Sequence, residues 1–320
     1  MPEFCRHGRF LQNCRICSRP EPKPAARPAA RTGAPARSRG GGGSRGTSGV
    51  VVKRMARAVE DGYESELVPG LKASGDARRL AAELAFATAR LAELAIDPPG
   101  LYAEAALADD LEDSLWLAFL VAHLSPLSGV DDAFATIRAV RTSWHSGELP
   151  NVDTDAVLGP RTTVDPRQPT RTLAAYRAWA PRHGGSQTAA LTGDDNWSPE
   201  RRFQRVFERL SLPGFGRAGR FELLVSLGRM GLVDLSPPDL QLGEAGDPAV
   251  IAAKRVFGIG ERFLMERRAA DLAAEADVPL DAFDLALFNF GQPETGRATM
   301  GSAAEPDPDL RDRVERALGL

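Results

Sequence analysis

The chain has 320 residues, with 40 Lys+Arg against 43 Asp+Glu and a formal net charge of −3. That length fits one large domain or two ordinary ones, and 43% hydrophobic with 26% charged residues is ordinary globular usage. No apolar run reaches the roughly 18 residues that a membrane span needs, and the opening MPEFCRHGRF has no signal-type apolar core, so neither insertion nor export is expected. Three cysteines cannot form a disulfide framework, which makes the reducing cytoplasm the expected compartment, with association to the nucleoid open.

Charge is unevenly spread. Residues 1–57 hold 13 Lys/Arg and two acids, Glu3 and Glu21, leaving −14 for residues 58–320. A basic arm is therefore attached to an acidic body. Such arms bind polyanions such as nucleic acid, or serve only as solubilising tails.

Every cysteine lies in the first 17 residues, spaced Cys5-x-His7-x6-Cys14-x2-Cys17. Zinc takes four sulfur or nitrogen ligands in a tetrahedron, and this segment supplies four. The expectation over residues 1–18 is a small knuckle holding one structural Zn2+; the competing reading is a set of inert thiols in a tail. With four protein ligands the metal would have no open position for catalysis. Residues 19–50 are rich in Pro, Ala, Arg and Gly and lack large apolar residues, so they read as a disordered basic linker.

From Val51 the pattern is helical, with no period-2 strand. Leu80, Leu84, Ala87, Leu91 and Leu94 repeat at helical spacing. Leu111–Leu124 is apolar on nearly every face and reads as a central helix; Asp109, Asp110, Glu112 and Asp113 crowd its first turn, where the dipole favours anions, more simply than they form a metal site. A helix is expected over Asp131–Ser146, then a long surface loop over 147–170. Further helices are expected at Thr172–Ala180, Pro199–Leu210, Arg217–Leu232, Pro248–Phe257, Glu261–Ala276 and Leu280–Phe290. Residues 305–320 carry a short polar tail helix, loosely docked.

Between two of these helices stands Leu212-Pro-Gly214-Phe215-Gly216. Helix, Leu-Pro-Gly-apolar-Gly, helix is the pattern of a helix-hairpin-helix motif. Its glycines let backbone N–H groups at the start of the second helix approach an anion, typically a DNA phosphate. Six arginines (201, 202, 205, 209, 217 and 220) and one acid, Glu208, surround it. Gly214, Phe215, Gly216, Arg217, Arg201 and Arg205 are the candidate DNA-binding residues; the alternative is a tight αα-corner with solvated arginines. A second turn, Gly258-Ile259-Gly260, is either another phosphate site or a packing echo. Asp247, just before Pro248, suits a helix N-cap and also a catalytic carboxylate. Trp197 and His183 fall in loops: Trp197 could stack on an extruded base or pack over the core. His123 is read as a core histidine, and His145 as a cation at a helix end.

The chain resembles the helix-hairpin-helix DNA glycosylase superfamily over roughly residues 75–292. The segment from Gly246-Asp247 to Gly260 is similar to that superfamily's stretch carrying the catalytic aspartate, and Asp284–Gly291 is similar to its late helix. The stretches Cys5–Phe10, Asp110–Leu120, Trp197–Phe203 and Ala253–Gly260 look like the group named alpha-glutamyl/putrescinyl thymine pyrophosphorylases, clade 3. The resemblance implies an all-α, two-lobed helix-hairpin-helix glycosylase-like domain over residues 51–304. It also implies action on thymine-type modified bases in DNA by base flipping, with transferase-like or glycosylase-like chemistry at Asp247. The chain departs from the pattern in the long separation from Leu212 to Asp247, in Arg220 where the hairpin usually has a small residue, and in lacking a hairpin lysine and a four-cysteine cluster after the domain. The alternative is a non-catalytic DNA-binding protein whose knuckle and arm recruit partner proteins.

Overall fold

The computed structural model describes residues 58–320. The knuckle ligands Cys5, His7, Cys14 and Cys17 and the linker lie outside the described residues. Twelve α-helices occur among those described: α1 Ser74–Ile96, α2 Leu101–Leu107, α3 Leu111–Leu124, α4 Ala135–Val140, α5 Arg171–Arg182, α6 Gln187–Thr192, α7 Pro199–Arg209, α8 Arg217–Arg229, α9 Pro248–Phe257, α10 Arg262–Ala276, α11 Ala282–Gly291 and α12 Pro308–Ala317. The described part is all-α, and an isolated bridge between Leu212 and Phe215 takes the place of any strand there. None of these helices is long and apolar enough to cross a membrane.

Strong start signals place several helices. Ser198 accepts from Arg201 N ahead of Pro199, Asp247 accepts from Ala249 N and Val250 N ahead of Pro248, and Asp110 accepts from Asp113 N. α3 is enclosed by α2, α6 and α8, with Leu115, Phe119, Leu120 and Val121 fully buried. α1 packs against α11 and α12, and α11 against α9.

Four expectations need correction. Asp131–Ser146 is not one helix: only Ala135–Val140 is helical, because Asp113 takes Ser143 Oγ and Trp144 N, and Trp116 Nε1 donates to Thr142 O at 2.9 Å. Those tertiary bonds replace helical ones. The stretch 147–170 is irregular but not merely superficial. Gly159 N donates to Ser125 O at 3.0 Å and Thr163 N to His123 O at 3.0 Å, which straps it along the end of α3 and drives Arg161 into the interior. The tail helix α12 is docked firmly: Leu310, Val314 and Leu318 are buried, and Tyr63 Oη donates to Leu318 O at 2.6 Å. His145 does not end a helix; it lies beyond α4 and pairs with Asp110 at 3.1 Å.

The second glycine turn is a packing contact. A Cβ on Gly70 would lie 2.0 Å from Arg255 O and 2.5 Å from Gly258 N. Only glycine permits that backbone crossing, which the bond from Gly70 N to Val256 O at 3.0 Å seals.

Candidate nucleic-acid interface

The hairpin is a tight turn joining α7 to α8. Phe215 N donates to Leu212 O at 3.1 Å, Pro213 takes the second position, and Gly214 takes the third with φ +79°. This is type II turn chemistry, with proline fixing one dihedral and glycine supplying the left-handed one. Thr172 Oγ1 on α5 donates to Pro213 O at 2.7 Å and pins the turn from outside. Beneath it lies an aromatic floor: the Phe215 ring sits 5.2 Å from Phe119, which stacks 3.7 Å from Tyr176.

His123 completes that floor, 6.3 Å from Phe215. Its Nδ1 lies 2.6 Å from Thr163 Oγ1, and its Nε2 has no partner. Burial pushes the imidazole down to about 4, so it is neutral across the physiological range. The reading of His123 as a core residue agrees with this placement.

The expected DNA-contact residues separate into two groups. Gly214, Gly216, Arg201 and Arg205 lie on the surface, Arg205 beside Glu208 at 3.4 Å. Phe215 and Arg217 turn inward, each 1% exposed. The Phe215 ring anchors the turn on the floor, and the Arg217 guanidinium enters the core, leaving only its backbone N–H at the hairpin. Arg202 is likewise internal, donating to Thr192 O, Trp197 O and Asp234. The exposed arginines of this face are therefore Arg201 and Arg205, with Arg209 half-buried beside them. The guanidinia of Arg201 and Arg209 flank the half-buried Trp197 ring, at 5.9 and 5.3 Å from its centre. His183 caps the end of α5, its ring 5.4 Å from Trp179.

Arg217 leads to a feature that sequence reasoning missed. Its guanidinium donates to Asp284 at 2.7 Å, lies 3.4 Å from Asp247, and donates to the carbonyls of Leu240 and Gln241. Asp284 also accepts from Arg161 at 2.5 Å, Arg161 reaches Glu222 at 3.2 Å, and Glu222 accepts from Arg90 at 2.7 Å. Three arginines and three carboxylates thus form one balanced, buried ladder joining α1, α8, α9, α11 and the 147–170 strap. Burial pushes the Asp284 carboxyl up, but Arg161 and Arg217 outweigh it and hold it below the ordinary carboxylate value. Burial lowers Arg161, and Asp284 and Glu222 more than restore it, so its guanidinium stays charged. The signal was present in the sequence: Arg90, Glu222 and Asp284 each interrupt an otherwise apolar helix face. Their pairing across the chain could not be read from that.

Asp247 ends the ladder at 8% exposure. Its Oδ1 accepts from Ala249 N at 2.9 Å and Val250 N at 3.3 Å while facing Arg217. It is an N-cap and an ion-pair partner together.

Three of the four acids at the start of α3 are engaged. Asp110 caps α3, Glu112 accepts from Gln187 N and Thr188 N at the start of α6, and Asp113 holds the 143–144 turn. Asp110, Asp113 and His145 do bring one ligand-type atom each within 4.8 Å of one another.

Comparison of the chain with protein-family models, with curated proteins and with solved structures returned no match.

Proposed function

We propose that this chain is a DNA-binding protein with a two-lobed, helix-hairpin-helix glycosylase-like body, acting on thymine-type modified bases. The observation that supports the binding half is the hairpin: a Pro-Gly turn with Gly214 and Gly216 exposed, opening the 13-residue helix α8 beside the arginine face of α7. Helix-start amides and guanidinia are suited to backbone phosphates, which position a protein without reading sequence. The chemical half rests on the resemblance, in which Asp247 stands where a flipped base would be processed.

Binding to a labelled duplex is expected to weaken steeply between about 50 and 200 mM salt. Arg201→Glu with Arg205→Glu should weaken it further without changing the unfolding temperature, since both side chains are on the surface. Binding indifferent to salt and to this double substitution would refute the binding half.

A second reading is favoured by the state of Asp247. Its Oδ1 is taken by two amides and faces a guanidinium, an arrangement that serves structure without chemistry, so the body could hold DNA while the knuckle and arm recruit protein partners. Asp247→Asn separates the readings on a modified-pyrimidine substrate. Abolished turnover with retained DNA affinity supports catalysis, because a transition-state role is lost from rate rather than binding. Unchanged turnover excludes it.

A further inference from the structure

The anion seat of the hairpin already holds an anion from the chain itself. Arg217 N, the first amide of α8, donates to Glu244 Oε2 at 3.0 Å, and the Arg220 guanidinium pairs with Glu244 Oε1. A Cβ on Gly216 would meet that same Oε2 at 3.2 Å, so the carboxylate lies directly against the turn. Gly216, the N-cap, has no side chain to satisfy the helix start, and Glu244 supplies the missing acceptor.

Two further features distinguish this contact from an ordinary cap. Arg220 is held without help from Glu244: it donates to Phe207 O at 3.1 Å, and its guanidinium lies 4.3 Å from the Phe207 ring centre. A guanidinium fixed in that way remains aimed at the seat if the carboxylate leaves. Glu244 itself is 46% exposed in its side chain and belongs to a short exposed run, 243–246, with glycine at both ends. That run hangs between fixed points: Leu240 N and Leu242 N donate to Glu266, and Asp247 caps α9. Within the run Glu244 O accepts from Asp247 N at 3.0 Å, so rotation of the exposed Glu244 side chain is enough to clear the seat.

We propose that Glu244 is an intramolecular phosphate substitute, a latch that occupies the hairpin's anion seat and must swing out before a DNA phosphate enters. When it does, Arg217 N and Arg220 both pass from carboxylate to phosphate, so the latch sets the affinity of the hairpin. This inference rests on the DNA-binding reading above.

The test is binding of the full chain to a short fluorescein-labelled DNA duplex at about 100 mM salt, comparing wild type, Glu244→Ala and Glu208→Ala. The Glu208 variant removes one negative charge from the same arginine-rich region without touching the α8 amides. Thermal unfolding is measured on each chain. Glu244→Ala is expected to tighten binding roughly fivefold or more, the scale of one partly exposed ion pair plus one hydrogen bond. Glu208→Ala should stay within about twofold of wild type. If Glu244→Ala fails to fold, Glu244→Gln is read instead: its amide oxygen can still cap Arg217 N but loses the charge facing Arg220, so binding should tighten in the same direction by less. Wild-type binding with unchanged or weaker binding by the folded Glu244 variant overturns the latch and leaves the DNA reading intact. Equal tightening by Glu208→Ala also overturns it, since bulk charge then explains the effect. Silence of every chain toward the duplex removes the DNA-binding reading, and the latch with it.

Discussion

Asp284→Asn is the most telling perturbation of the buried ladder. Asp284 is shared by two guanidinia, Arg161 at 2.5 Å and Arg217 at 2.7 Å, as Glu222 is shared by Arg90 and Arg161. Asparagine keeps the shape and one acceptor but removes the charge, leaving three arginines facing two acids in a site where side-chain exposure is 6% or less. Breaking a buried pair from one side costs about 3–5 kcal/mol, because the remaining charge is stranded away from water. At about 2–4 °C per kcal/mol for a body of this size, the unfolding midpoint should fall by roughly 6–20 °C. The paired control is Arg161→Met with Asp284→Leu. It removes one charge of each sign and leaves Arg90 with Glu222 and Arg217 with Asp247, both balanced. Since apolar replacement of a whole buried pair is often neutral, the double variant should be more stable than Asp284→Asn alone. The assay is thermal and urea unfolding of the full chain near pH 7, followed by far-ultraviolet circular dichroism. A loss below about 1 kcal/mol for Asp284→Asn, or a double variant less stable than the single one, would refute the claim that charge balance holds this core.

Two other predictions concern protons and metal. His123 has a folded value near 4, below the unfolded value of about 6.5, so its contribution is fully present above about pH 6.5 and is lost progressively as pH falls toward 4. The loss should reach on the order of 3 kcal/mol, and His123→Gln should flatten that part of the stability–pH curve; a curve of unchanged steepness in the variant would contradict it. The Asp284 contribution acts lower, being present above about pH 3.9 and lost as pH falls further, so the two can be told apart by window. For the metal, chelator-free protein should carry about one zinc per chain, and Cys14→Ser should release it while the unfolding midpoint of the helical body stays in place; metal analysis finding none would end that proposal.

The all-α class was legible because helix signals are local. Ser198-Pro199 and Asp247-Pro248 announce α7 and α9 through capping chemistry, and the apolar run Leu111–Leu124 announces a helix with no wet face. The hairpin was legible for the same reason, since Pro213 and Gly214 dictate their own dihedrals. What failed was anything decided at long range. α2 and α6 are too short to show periodicity. The 147–170 stretch carries Gly, Pro and Thr, the composition of a surface loop, yet Arg161 within it completes a core ladder. Arg90 and Glu222 meet across 132 positions of chain, and Glu112 caps a helix start 75 positions away. Charge counting around the hairpin overstated its surface for this reason. Arg202 and Arg217 read as part of a basic face but are spent on internal partners, while Glu244, the acid that answers the hairpin, lies 27 positions beyond Arg217.

Arg217 explains how these elements depend on one another. Its backbone N–H faces the hairpin seat and Glu244, while its guanidinium, wholly buried, holds Asp284, Asp247 and the carbonyls of Leu240 and Gln241. One residue therefore ties the start of α8 to both ends of the 240–247 strap, and through Asp284 to Arg161 and the far side of the core. Motion at the seat cannot be a sliding of α8, because that would pull a charged group out of a balanced ladder at a cost of several kcal/mol. The release proposed for Glu244 is therefore a rotation of its exposed side chain, which leaves both the ladder and the bond from Asp247 N to Glu244 O in place. The same geometry fixes Asp247: it is set from one side by the helix it caps and from the other by Arg217. Its carboxylate is thus held by two backbone amides on one side and a buried guanidinium on the other.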